Sequence, residues 1–518
     1  MPVSPARAAA FDILLRVEQH SAYADELLHS RILDPLSSAD RALATELVMG
    51  VLRWRSRLDA ALAPLSRQPL VKLDPEVRLA VRLAAYQLGF LDRIPAHAAV
   101  DESVELTKRA GKRFAAPFVN AVLRRLTKNA EALRPAALPP GSAREIAQQF
   151  AHPAWMVERW ANHFGLEPTT QICQYNQKQP QAVLRVADPA DEAELLSAGI
   201  ELAPGALVSS ARRVVGGDVT RTPAFAGHRV HFQDEASQLV TLLLGGGSRI
   251  LDCCAAPGGK SAALAERYPE ALIFAVDLHP HRARLLRQRV RAANVRVAAA
   301  DATHLPFAGG FDAALADVPC SGTGTLARNP EIKWRLRPED LRDLQHRQVA
   351  ILSAALDQTA AGGRVVYSTC SLEPEEDEQV VEEVMATQGD ARLVDCREEL
   401  MRLRDAKLLV WDDLDSLLRG PYLRTLPGVH PCDGFFAAIL ERIFQRCDPR
   451  SVTPKRAVIL SEGGLPHALT SAGNPIERIL ALLASESQPE RSAMLNALGF
   501  VSGHGFSRAE RSAEILGL

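Results

Sequence analysis

Apolar residues recur at helical spacing from the start of the chain: Ala10, Phe11, Ile13, Leu14, Leu15 and Val17, then Leu43, Leu47, Val48, Val51 and Leu52. This period predicts an all-helical front over residues 4–130. Turns are expected at Asp34-Pro35 and Asp74-Pro75. Residues 133–142 are rich in Pro, Ala and Gly and read as a linker. Residues 143–230 are mixed, with a helix beginning at His152-Pro153-Ala154-Trp155 and a strand over 182–186. From about 231 the pattern alternates between strand and helix. Strands are expected at 248–252, 271–277, 295–300, 311–317 and 364–368, with a last one at 434–439. Such alternation predicts a doubly wound parallel sheet. The expected division is 1–132, 143–230, 231–445 and a loosely ordered tail over 446–518, where only weak helical patterns occur at 476–483 and 494–498.

Length and composition fit this division. A chain of 518 residues, 47% hydrophobic and 24% charged, can build several cores. It has no apolar run of about 20 residues, and Met1-Pro2-Val3-Ser4 leads into an amphipathic pattern rather than a secretory leader. Its eight cysteines are scattered without a zinc-type C-x-x-C pair. We therefore expect a cytoplasmic protein with reduced thiols, no disulfide frame, no metal and no membrane span. The formal net charge of −2 argues against a nucleic-acid partner, but its distribution does not. Lys108, Arg109, Lys112, Arg113, Arg124, Arg125 and Lys128 follow one another with no intervening acid. That run reads either as a footprint for phosphates or as a solvated helical face.

The chemistry gathers at the strand ends, where open parallel sheets place their ligand crevice. Cys254-Ala255-Ala256-Pro257-Gly258-Gly259-Lys260 joins the first strand to its helix. Small residues there let backbone N–H groups approach a ligand. The segment misses the phosphate-binding pattern G-x-x-x-x-G-K-[ST], because Cys254 stands where the first glycine belongs. Asp277, Asp301 and Asp317 follow three later strands. Singly each would be a helix cap; together they describe a site for an adenosine-bearing cofactor. S-adenosylmethionine suits the carboxylates, whereas a dinucleotide would call for glycine spacing that is missing. Two cysteines complete the set. Cys320 lies in Asp317-Val318-Pro319-Cys320-Ser321 and Cys370 in Thr369-Cys370-Ser371, each just past a strand. Singly a free cysteine is most often a small buried hydrophobe. Two thiols aimed at one crevice beside Asp317 suggest covalent catalysis, and thiols so placed are expected to ionise readily.

These segments resemble the RNA 5-methylcytosine methyltransferases, as do Gln233-Asp234-Glu235-Ala236-Ser237, Asn329-Pro330-Glu331-Ile332-Lys333-Trp334 and Asp433-Gly434-Phe435-Phe436. The helical front resembles the antitermination factor NusB, through Asp40-Arg41-Ala42, Trp54, Tyr86-Gln87-Leu88 and 118–124. A NusB-like front on such a methyltransferase is the arrangement of a family of bacterial 16S rRNA cytosine-C5 methyltransferases. The resemblance covers about residues 4–445. Ala187-Asp188 and Asp377 depart from it, standing where the family usually has Asn.

The resemblance implies an all-α NusB-like domain joined to a Rossmann-like, S-adenosylmethionine-dependent methyltransferase domain. It implies Cys370 as the nucleophile on cytosine C6 and Cys320 as the group that helps remove the C5 proton and release the product. Asp317 would hydrogen-bond the N3/N4 edge of the base, and Lys260 would orient Asp317 or the base. The cofactor would be held by residues 254–260, Asp277, Asp301 and Asp317. The expected partner is rRNA, free or partly assembled, bound by a monomer. Phosphate contacts are expected from the basic front and from Arg328, Lys333 and Arg335, and Trp334 would be either a stacking platform or core. The same chemistry on tRNA or 23S rRNA is an alternative, as is a non-catalytic RNA-binding assembly or antitermination factor.

Overall fold

The computed structural model describes residues 3–20, 22–135 and 139–443. The expected tail therefore lies outside the described residues. The front is helical as its period requires. Its long helices are Pro5–His20, Ser38–Leu62, Pro75–Phe90, Ala96–Arg109 and Ala116–Leu126, and their apolar stripes share one core around Leu14, Leu47, Leu58, Leu83, Leu106 and Leu123. The expected turns hold at the helix starts. Ser37 accepts the Asp40 N–H at 3.1 Å, and Pro75 occupies the first helical position of its helix.

Helices Ala143–Gln149, Ala154–Phe164 and Leu166–Asn176 follow. Then comes a small antiparallel sheet of β1 (Val183–Arg185), β2 (Glu201–Pro204), β3 (Ala211–Gly216) and β4 (His231–Phe232), ordered β2-β3-β1-β4. The main sheet has nine strands: β5 (Arg249–Asp252), β6 (Leu272–Asp277), β7 (Val295–Ala299), β8 (Phe311–Asp317), β9 (Thr359–Thr369), β10 (Ala391–Val394), β11 (Leu418–Arg419), β12 (Tyr422–Thr425) and β13 (Phe435–Arg442). Its order is β11-β12-β13-β9-β8-β5-β6-β7, with β10 also paired to β13. Strands β5 to β9 are mutually parallel, and β13 lies antiparallel to β9. Because β6 and β8 flank β5 on opposite sides, the winding reverses there. The crevice belongs at the C-terminal ends of β5 and β8. The fold is the expected helical front followed by a parallel-dominated α/β domain. The antiparallel edge from β10 to β13 was not anticipated beyond its last strand.

The segment 329–335 corrects one expectation. Lys333 and Arg335 are not offered to phosphates. Lys333 is buried and donates to the carbonyls of Arg53 at 2.9 Å and Ala151 at 3.1 Å. Trp334 Nε1 donates to Leu52 O at 2.7 Å, and Arg335 reaches Val17 O at 3.1 Å and Ala22 O. Glu331 accepts the Ala24 N–H at 2.9 Å, and Arg53 donates back to Ala327 O at 3.0 Å. Val17 O and Ala22 O lie in and just past the last turn of the first helix and Ala151 O in a turn, where carbonyls need donors. Leu52 O and Arg53 O, mid-helix, take a second hydrogen bond on their other lone pair. Long side chains supply these donors while burying their apolar stems. The segment is thus a polar wedge between the helical front and the α/β domain. Arg328 is likewise engaged inside, with Asp433 at 2.7 Å and Asp234 at 3.2 Å. The basic run at 108–128 is partly neutralised by acids, one adjacent on its own helix and two distant in sequence. Lys108 pairs with Glu105, Arg109 with Asp12 and Lys112 with Asp74, at 2.6, 2.9 and 2.9 Å. Among the described residues no helix is long and apolar enough to cross a membrane, and no cluster of side chains suits a metal ion.

Burial draws the Lys333 amine from its usual 10.5 down to about 7. Below pH 7 it is charged in both folded and unfolded chains, and the burial penalty is present in full. Between about pH 7 and 10.5 the unfolded chain holds the extra proton, so stability rises with pH, by at most about 1.4 kcal/mol per unit. Lys333→Met should lose this part of the rise. Thermal unfolding midpoints of both proteins at pH 7 and pH 9 test it, and identical pH dependence would show that the amine does not titrate there.

Candidate active site

Parallel pairing of β8 with β9 sets Asp317 opposite Ser368, and the Val318 N–H donates to Ser368 O at 3.0 Å. The two cysteine loops therefore leave the sheet side by side. Cys320 Sγ and Cys370 Sγ are 3.1 Å apart. Ser368 Oγ donates to Asp317 Oδ1 at 2.8 Å, and Lys260 Nζ lies 2.8 Å from Asp317 Oδ2. The expectation that Lys260 sits close enough to orient Asp317 matches this spacing. Burial opposes the Lys260 charge, but Asp317 and Cys370 outweigh it and hold its pKa above the usual lysine value. The Lys260 ammonium also stands 5.2 Å from the centre of the Phe435 ring. The expected ready ionisation is not found at Cys320. Its hydrogen bond to Cys370 and its burial push its pKa well up.

On the other side of β5 lies the glycine-containing loop. Ala255 and Ala256 are buried, Pro257 is exposed, and Cys254, Gly259 and Lys260 are half-buried. The Cys254 thiol is pushed well up by burial. The Ala255 N–H donates to Val276 O at 2.8 Å, which fixes the loop to the end of β6. Gly258 has φ +112°, and a Cβ there would meet Val290 at 2.7 Å and Leu286 at 2.8 Å, so only glycine allows the tight entry into helix Gly259–Arg267. Asp277 is buried and caps the next turn, accepting the His279 N–H at 3.0 Å; Arg282 stands 3.6 Å away. Asp301 is exposed. It accepts from Thr303 N at 2.9 Å and Thr303 Oγ1 at 2.8 Å, hydrogen bonds that lower its pKa.

Several residues of the site were not foreseen. Asp252 ends β5 buried, with Oδ2 accepting from Ser261 at 2.6 Å and Oδ1 without a partner; burial raises it to about 7. Glu376 is fully buried beneath both cysteine loops. It accepts from Ser321 N at 2.8 Å, Ser321 Oγ, Ser371 Oγ at 2.5 Å and Gln348 Nε2 at 2.9 Å. Asp377 accepts from Thr369 Oγ1 at 2.6 Å and pairs with Arg424 at 2.7 Å, which also donates to Ser371 O at 3.0 Å. The available signal was the serine that follows each cysteine, since two buried hydroxyls call for a shared acceptor.

The comparisons with known proteins agree on the family. Residues 239–441 match the family model described as 16S rRNA methyltransferase RsmB/F. Residues 4–128 match the NusB family, and 152–214 match a ferredoxin-like domain of RsmF/B-like methyltransferases. A probable ribosomal RNA small subunit methyltransferase B of Bacillus subtilis is 33% identical over 457 residues, covering 85% of this chain and 100% of that protein. The ribosomal RNA small subunit methyltransferase B of Vibrio cholerae is 33% identical over 416 residues, covering 78% of this chain and 90% of its own. The crystal structure of PH0851 superposes with a TM-score of 0.69 over 85% of this chain and 100% of that one; at 22% identity the likeness is one of fold.

The cysteine loops rest on the C-terminal strand through a backbone contact. Gly324 N donates to Cys370 O and Gly434 N to Gly324 O, both at 2.9 Å. A Cβ on Gly324 would come within 2.2 Å of Gly434 O and 2.8 Å of Cys370 O. Gly324→Ala should therefore cost more than about 2 kcal/mol of stability and displace the Cys320 loop. Denaturant unfolding of the variant checks this, and a change under about 0.5 kcal/mol would show that the loops separate without strain.

Proposed function

Because the chain belongs to the 16S rRNA methyltransferase RsmB/F family, we propose that it transfers a methyl group from S-adenosylmethionine to C5 of a cytosine in small-subunit rRNA, through a covalent bond from Cys370 to C6. The observation that carries the reading is the 3.1 Å thiol pair beside the Lys260–Asp317 pair, at the ends of two adjacent parallel strands. Cytosine C5 is a poor nucleophile. Addition of the Cys370 thiolate to C6 breaks the aromatic C5–C6 bond order and places electron density on C5. Asp317 would hydrogen-bond the N3/N4 edge of the base as that charge develops. Its Oδ1 is already fixed by Ser368 and its Oδ2 by Lys260. C5 would then bond the methyl carbon as the methyl–sulfonium bond breaks, its electron pair staying on the cofactor sulfur. Cys320 as thiolate would take the C5 proton, the C6–S bond breaks with its electron pair returning to sulfur, and the double bond is restored. A cytosine stacked in a duplex could not reach these thiols, so the target would be unpaired or flipped out.

The residues present fit the cofactor. The loop at 254–260 is built of small residues, and it begins at a buried carboxylate with one oxygen still open to a donor. We assign the cofactor to 254–260, Asp277, Asp301 and Asp317, with Asp252 as a further acceptor. When bound, S-adenosylmethionine supplies an electrophilic methyl group on a sulfonium.

Incubating the protein with small-subunit rRNA and tritium-labelled cofactor tests the reading. Cys370→Ala should lose at least about 10³-fold in turnover, roughly 4 kcal/mol of barrier, while keeping cofactor affinity. Cys320→Ala should form a protein–RNA adduct that survives a denaturing gel, and the double variant should not. An adduct from Cys370→Ala alone would exchange the two roles. Methyl incorporation at a position other than cytosine C5 would sink the reading.

A further inference from the structure

We propose that an arginine strip beside the crevice, from Arg284 to Arg291, is a docking surface for the RNA backbone. The inference rests on the RNA methyltransferase reading above. Between Leu278 and Ala300 the chain carries six arginines, at 282, 284, 287, 289, 291 and 296, and no Asp or Glu. They lie on helix Pro280–Arg289, the turn after it and edge strand β7, and all six are exposed. Arg282 touches the cofactor loop through Ala256 O at 2.9 Å, so the strip begins at the site. Arg287 is braced on Val297 O at 2.9 Å, and Arg296 folds back on its own turn at Ala293 O.

Arg284, Arg289 and Arg291 have no hydrogen bond or ion pair among the described residues. At the far end Arg289 is near enough to the helical front to add to the His29 hydrogen bond that lowers the Asp25 pKa. In the basic run at 108–128, acids meet three of the cations; here only Arg282 has a carboxylate, at 3.6 Å. A row of unpaired guanidinium groups repels itself and suits a polyanion whose charges repeat along it. Leu285 is exposed among them and Leu278 just before them, offering apolar contact to sugars. RNA flanking the target nucleotide would run along this strip from the crevice toward the front.

The test is the variant Arg284→Gln/Arg287→Gln/Arg289→Gln/Arg291→Gln, with binding to a small-subunit rRNA transcript followed against salt. Each lost phosphate contact should reduce the log–log salt slope by about 0.7–0.9. KM for RNA should rise about tenfold or more near 0.15 M salt, with kcat at saturating RNA and cofactor affinity within about twofold. An unchanged slope and KM would overturn the inference and leave an acidic protein as the partner to seek. If the wild-type protein bound the transcript but methylated nothing, the functional reading would fail while the slopes still judged the strip.

A separate observation concerns the thiols themselves. The geometry points to Glu376 as the positioning residue that sets the Cys320–Cys370 spacing. Its one carboxylate is hydrogen-bonded to Ser321, next to Cys320, and to Ser371, next to Cys370. Gln348 braces the same carboxylate and also donates to Pro319 O at 2.9 Å. Every donor around Glu376 would have to be re-met in Glu376→Gln, whose amide offers one acceptor oxygen instead of two. A readout independent of methyl transfer is disulfide trapping with diamide. The two thiols lose their hydrogens to the diazene, which becomes a hydrazine, and the protein loses two mass units. Trapping and turnover should each slow about tenfold or more in Glu376→Gln, with the circular dichroism spectrum and cofactor affinity kept. Ser321→Ala and Ser371→Ala each cut one leg and should show the same direction should Glu376→Gln fail to fold. Trapping and turnover within about twofold of wild type in the folded variants would overturn the assignment.

Discussion

Carboxylates removed from water must be met by donors on every side, and the ground beneath the cysteine loops is made of them. Glu376 joins the two loops to each other. Asp377 joins the Cys370 loop to Arg424 on β12. Glu373, three residues past Cys370, accepts from Trp160 Nε1 at 2.9 Å and Arg159 at 2.8 Å, on helix Ala154–Phe164. One short stretch of acids therefore ties three separate elements to the strand ends. A displaced loop would leave a buried charge unmet, at a cost of several kcal/mol. The site keeps its geometry because the alternatives are electrostatically expensive.

The same logic places the helical front. The wedge at 329–335 begins nine residues after Cys320, and its donors end on carbonyls of the front. The front is held through polar groups that need a specific partner, not through a sliding apolar face. Its orientation is accordingly tied to the loop that carries one thiol.

Much of the fold was legible because periodicity survives burial. Strand 311–317 matches its expected bounds, and 248–252 and 271–277 begin one residue later than expected. Strand β9 runs back to Thr359 through two glycines that hid it, and β10 to β12 are too short to give a period. Charge was the poorer guide. Lys333 and Arg335 looked like phosphate ligands, yet carbonyls of the front consume them. Two of the acids that neutralise the run at 108–128, Asp12 and Asp74, lie far away in sequence, where no local pattern reveals them. In the stretch from Glu373 to Glu378 a row of carboxylates looks solvated, and only the fold shows that Glu373, Glu376 and Asp377 are sealed from water. The gathering of Cys320, Cys370 and Asp317 followed from strand-end positions alone, whereas Lys260 came from the family resemblance.

The place of β13 has a consequence for biosynthesis. Among the described residues it is the last strand made, yet it lies between β9 and β12 rather than at a margin. While the ribosome is still short of Phe435, β9 presents an open edge, and Gly324 lacks the backbone neighbour against which its loop is pressed. The helical front, rich in local contacts, can fold much earlier. A nascent chain thus completes its thiol geometry only once β13 has been made and docks. Until then the unpaired edge of β9 is open to aggregation.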